Sequence, residues 1–187
     1  MKKSVIIGGV AVILLIILIA VPVSSYNSIV TSREDVNTKA ATIDVQLKRR
    51  ADLIGNLLET VKGYAAHEKE IIDSVTEARE KLIGAKTTTE KAEANDAATS
   101  AISGLLAISE SYPDIKADAN FRQFADELAG TENRISVARI DYNNAVSSYN
   151  KKIITFPGSL LAGAMGFTRA EYFEAAESEK EAPEVKF

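Results

Sequence analysis

The nineteen residues from Val5 to Val23, VIIGGVAVILLIILIAVPV, carry no charge and constrain this chain more than any other stretch. A helix of that length rises roughly 28 Å, close to the ~30 Å hydrocarbon core of a bilayer. Pro22 falls at its end, where it can stop or bend a helix without dividing the apolar run. The run exceeds the ~7–15-residue apolar core of a cleaved signal peptide, and no Cys follows it to accept a lipid. Residues 1–23 are therefore read as a single transmembrane anchor with a short flank, and residues 5–23 as the membrane contact. Lys2 and Lys3 precede the run, while Arg33, beside Glu34 and Asp35, and Lys39 follow it. Counting positive charges leans towards a cytoplasmic N-terminus and an extracytoplasmic remainder at the cell membrane.

Composition removes several chemistries. There is no Cys, and His67 is the one histidine of 187 residues, so no disulfide scaffold, thiolate site or Cys nucleophile is available. A di-iron site in a helical bundle needs a Glu-x-x-His from each of two helices, and the residue three before His67 is Tyr64. No GxxxxGK[ST], GxGxxG or GxSxG motif occurs. A formal net charge of −4 gives no basic excess to grip phosphates, so nucleic acid is not an expected partner. No cofactor, metal or catalytic residue is expected, and no spacing among the acids singles out a carboxylate pair for hydrolysis.

Beyond the anchor no run alternates with period two, and the fold class is read as all-α. One seam at spacings of three and four runs through Ile29, Arg33, Val36, Ala40, Ile43, Leu47, Arg50, Ile54, Leu57, Val61, Tyr64, Glu68, Ile71, Val75, Ala78 and Leu82, and only Arg33, Arg50 and Glu68 on it are charged. The Lys48-Arg49-Arg50 cluster and the Asp52–Asn56 stretch, with Gly55, predict a break and two helices, about 26–49 and 53–83. Thr87 and Glu90 fit a capping box opening a third helix that ends at Pro113. A fourth begins near Asp118 or Asn120 and ends at Phe156-Pro157-Gly158. Residues 24–157 thus predict an antiparallel, up-and-down four-helix bundle with long helices. The short apolar segment 158–173 is expected to pack on the bundle, with contact to a membrane surface as the alternative. Residues 174–187 read as an acidic, flexible tail.

Charged and polar residues on the apolar stripes are the candidate interaction positions. Arg33, Arg50 and Glu68 fall on the first seam, and Glu132, Arg134 and Arg139 on the last long helix. Charges there are costly unless paired, and pairs between helices set register. Tyr142-Asn143 and Tyr149-Asn150 recur one heptad apart, which turns both tyrosines the same way for core hydrogen bonds.

Several blocks carry a resemblance. Tyr26–Val30, Ile43–Arg50, Asp52–Ile54, Glu59–Glu70 and Val75–Arg79, then Tyr112–Ala117, Thr131–Ile135, Ala138-Arg139, Tyr142-Asn143, Tyr149-Asn150, Phe156-Pro157 and Gly166-Phe167, are similar to the LemA family and stand in its order over about residues 26–173. Gly55 stands where that family usually has Pro. The resemblance implies an N-terminal anchor, an antiparallel helical bundle and no established biochemical activity. It also implies a short N-terminus outside and a cytoplasmic bundle, the opposite of the charge count. The function expected is a single-pass interaction or scaffold module whose partners are a membrane-associated protein or further copies of itself. Lipid or small-ligand binding within the bundle, or a carboxylate-dependent hydrolase, are the alternatives.

Overall fold

A computed structural model describes residues 2–64 and 67–174. Among these residues there is no strand. The helices are α1 (Lys2–Lys62), α2 (Lys69–Gly84), α3 (Thr88–Ser109), α4 (Pro113–Ala117), α5 (Ala119–Ile154) and α6 (Gly158–Met165). The acidic stretch from residue 175 onward lies outside the described residues.

The main correction to the sequence reading concerns the first helix. It does not break at 49–53, and it does not end with the anchor: α1 continues through Pro22 and on to Lys62. Each feature that suggested a break is absorbed by packing. Lys48 pairs with Asp52 one turn on, Arg49 reaches Glu127 of α5, and Arg50 is buried at 2% exposure. Gly55 makes room for a neighbour: a Cβ there would stand 3.1 Å from Nε of Arg79, which donates to the Ala51 carbonyl at 2.9 Å. The helix ends instead near Gly63, where the Tyr64 amide turns back to the Val61 carbonyl.

The described residues form two compact units: 2–39 with 142–171, and those of 40–141 with 172–174. In the second unit Ile43, Leu47, Ile54, Leu57 and Val61 of α1 are buried, as are Val75, Ala78 and Leu82 of α2. Helix α3 adds Ala92, Ala94, Ala98, Ile102 and Leu105, and α5 adds Phe121, Leu128, Ile135 and Ala138. The α3 start is fixed by its capping box, in which Thr87 Oγ1 accepts from the Glu90 amide and Glu90 accepts from the Thr87 amide. Asp118 opens α5 by accepting from the amides of Asn120 and Phe121.

In the first unit Ile29 and Val36 of α1 are buried, as are Ala145, Val146, Tyr149 and Ile153 of α5. Lys152 Nζ donates to Ser32 Oγ at 2.5 Å and lies 3.3 Å from the Ser28 carbonyl. Further towards the N-terminus, side chains from Ile6 to Val21 are exposed throughout, and no residue in the apolar window is buried. This stretch is long and apolar enough to cross a membrane.

Candidate functional site

The second unit holds a polar cluster built around Arg50. The seam places Arg50 inward on α1, and α3 and α5 supply its partners. Its Nη1 donates to Asn95 Oδ1 at 2.5 Å and to Glu132 Oε2; its Nη2 donates to Thr99 Oγ1 at 3.0 Å. Asn95, fully buried, donates in turn to Glu132 Oε1 at 3.3 Å. Burial pushes the guanidinium below the usual arginine range, and the Glu132 charge pulls it back up. Nε of Arg50 is buried without a hydrogen-bond partner among the described residues.

Arg139, also on α5, lies 3.9 Å from Asp96 of α3 and stacks its guanidinium 4.7 Å from the Phe173 ring centroid. Glu68, half-buried just before α2, accepts from the Tyr112 hydroxyl at 2.6 Å, which holds that phenol above its ordinary range. Two of the candidate charges are not in this set. Arg33 is exposed, and the buried position of that turn is Ser32. Arg134 is exposed too, with its guanidinium over Gly130 of its own helix.

The paired tyrosines of the first unit do something the heptad spacing did not specify. Tyr142 donates to the Glu171 carbonyl and Tyr149 to the Thr168 carbonyl, each at 2.9 Å. Asn150 holds Ala170 by both its amide and its carbonyl, again at 2.9 Å. The three side chains thus fasten the non-helical stretch after α6 along α5, with main chain as their target.

On the other side of α5 in the second unit, Asn133, Arg134, Val137, Ala138 and Asp141 line a shallow groove with Thr42 and Gln46 of α1. Val137 is more than half exposed there, and Gln46 Oε1 is buried with no partner among the described residues. Also among the described residues, no three His, Cys, Asp or Glu side chains gather as a metal cage.

Sequence reading missed Asn95, Thr99, Asp96 and Ser32. Asn95 and Thr99 flank the alanine stripe at a spacing of four, a weak polar signal that had meaning only once α3 was set against Arg50.

The profile of the LemA family matches residues 39–187. The chain belongs to the LemA family. Among its relatives, Magnetosome protein MamQ 2 of Paramagnetospirillum magneticum is 29% identical over 191 aligned positions, covering 88% of this chain and 70% of the relative. Magnetosome protein MamQ of Magnetospirillum gryphiswaldense is 27% identical with the same coverage. Protein LemA of Metamycoplasma hominis is 26% identical, covering 82% of this chain and 71% of the relative. None of these three names specifies a reaction.

Proposed function

We propose that this LemA-family chain is a single-pass, membrane-tethered interaction module that binds rather than catalyses, and that its partner is a second copy of itself. The anchor part of the reading rests on α1, whose apolar stretch from Ile6 to Val21 is exposed among the described residues while its later turns are core. The pairing part rests on the groove along α5. Arg134 and Asp141 lie seven residues apart on one stripe, with Val137 and Ala138 midway between them. An antiparallel copy centred on that midpoint sets each Arg134 against the other copy's Asp141 and each Val137 against apolar surface. That is the self-complementarity a two-fold interface requires. The stranded Gln46 oxygen gives the groove floor an acceptor for a donor from the docked copy.

The test uses the full chain in detergent, followed by sedimentation, together with crosslinking in native membranes. Arg134→Glu alone and Asp141→Arg alone should each abolish the dimer through like-charge contacts. Mixed together, they should form a heterodimer, since both contacts are then attractive. A monomeric wild type, or single reversals that leave the dimer intact, overturns the pairing. Resistance of the chain to alkaline extraction from membranes, lost on deleting residues 5–23, checks the anchor separately.

A further inference from the structure

We propose that α6 and the turn before it form a second, shallow membrane contact lying in the headgroup layer; this rests on the anchor reading above. The first observation is exposure. Phe156 is 80%, Leu160 68% and Met165 60% exposed, and Ile154 just before them is 55%. In a segment as short as GSLLAGAM, so much outward apolar surface is not explained by burial against the unit, which takes only Gly158 and Ala162.

The second observation is where this surface sits. A Cβ on Gly158 would lie 3.5 Å from Ile29 Cδ1, and residues 156–158 share a small cavity with Ser25, Ser28 and Ile29 of α1. Beyond the far end of α6, the Phe167 ring meets Tyr26 with centroids 6.0 Å apart. Both ends of α6 are therefore pinned to one turn of α1. Tyr26 and Ile29 differ by roughly 4.5 Å in height along α1, whereas the eight residues of α6 span roughly 12 Å. Helix α6 consequently crosses α1 rather than running along it.

The apolar run ends at Val23, so this crossing lies roughly 5–9 Å beyond the run. The polar layer of a bilayer occupies about that depth on each side of the hydrocarbon. A short helix lying across the anchor at this height, with Phe, Leu and Met outward, is placed as interfacial helices are, with apolar side chains at the boundary between headgroups and acyl chains. Lys151, exposed in the last turn of α5, adds a cation for anionic headgroups. The occupant proposed is thus the lipid surface into which the chain's own anchor is inserted.

The chain contains no Cys, so a single introduced thiol labels one position. Full-length Leu160→Cys, Ile13→Cys and Ser148→Cys carry an environment-sensitive fluorophore in vesicles of phosphatidylcholine and phosphatidylglycerol. Lipids brominated at shallow or deep acyl positions serve as quenchers. The expected result is a blue-shifted emission at 160 quenched mainly by the shallow bromine, deep quenching at 13, and water-like emission without quenching at 148. Deep quenching at 13 with water-like emission at 160 overturns this inference and leaves the anchor standing. Water-like emission at 13 as well removes the anchor and this inference with it. Leu160→Ser with Met165→Ser, both at exposed positions that leave the fold intact by circular dichroism, should abolish shallow quenching of a label at 156. Unchanged quenching there counts against α6 as the contact.

Discussion

Removing Glu132 should destabilise this protein more than removing the charge of Arg50, although both changes break the same pair. Arg50 is 2% exposed and its side chain is held by Asn95, Thr99 and Glu132. Truncating one partner of a buried ion pair costs about 3–5 kcal/mol, because the other charge is left without compensation. The Glu132 side chain is 40% exposed, so water tempers the loss, and about 2–3 kcal/mol is expected for Glu132→Ala. For a chain of this size that is a drop of roughly 4–12 °C in Tm. Arg50→Met keeps most of the volume, deletes the stranded charge and removes the unpartnered Nε; Glu132 retains Asn95 and solvent. Its cost should stay near ~1 kcal/mol. The double variant Arg50→Met/Glu132→Ala should then resemble Arg50→Met alone, a non-additivity of about 2 kcal/mol. Urea titration of the full chain in micelles, followed by circular dichroism, measures all three. Arg50→Met proving worse than Glu132→Ala, or the two effects adding, would refute the reasoning.

Other outcomes follow from particular contacts. Gly158→Ala would place its Cβ 2.1 Å from the Lys152 carbonyl, a backbone atom that cannot step aside alone, so the turn into α6 should loosen at a cost of about 1–3 kcal/mol. Gly163→Ala meets nothing within 4 Å and should instead stabilise α6 by up to ~1 kcal/mol; hydrogen exchange across residues 158–171 separates the two. Glu90 is held below the ordinary carboxylate range by the amides of Lys86 and Thr87, and Asp118 by the amide of Phe121. A depressed folded pKa contributes stability above the unfolded value of about 4 that is lost as pH falls through the folded one. Protection factors, that is exchange rates relative to the free chain at the same pH, should therefore fall at the amides of Lys86, Thr87, Asn120 and Phe121 below about pH 4, while that of buried Ile135 holds longer. With Lys2 and Lys3 cytoplasmic, protease added to intact cells should cut the chain beyond residue 24; protection until the membrane is opened reverses the orientation.

The spacing of apolar residues located most of the core because burial on a helix needs only a period. Ile29, Val36, Ile43, Leu47, Ile54, Leu57 and Val61 are all buried, and each was legible from the one before it. A period of 3.6 leaves a choice of three or four at every step, and between two polar residues it makes none. Ser32 rather than Arg33 turns inward because Lys152, far along the chain, bonds to it. The break was misplaced for the same reason: whether Arg50 and Gly55 interrupt a helix depends on Asn95, Glu132 and Arg79, whose positions no local pattern fixes. The stretch after α6 was harder still, since its carbonyls at 168, 170 and 171 are what Tyr149, Asn150 and Tyr142 hold. Main chain leaves no trace in a sequence.

The alanines of α3 explain why a buried arginine is kept where a methionine would serve stability nearly as well. Ala92, Ala94 and Ala98 are almost wholly buried, as is Ala51 of α1. Such a surface lets backbones approach closely but buries little area per turn, and one alanine is much like the next. Along this stripe, sliding α3 by a turn against α1 would exchange Ala94 for Ala98 at small apolar cost, leaving Ile102 and Leu105 as the apolar residues that resist the slide. It would also carry Asn95 and Thr99 away from Arg50 by roughly 5 Å and strand a cation in the interior. The alternative register is thus penalised by several kcal/mol through the polar cluster, in addition to the displacement of Ile102 and Leu105. On this account the cluster serves alignment, and the proposed pairing uses the opposite side of α5, where Arg134, Val137 and Asp141 line the groove.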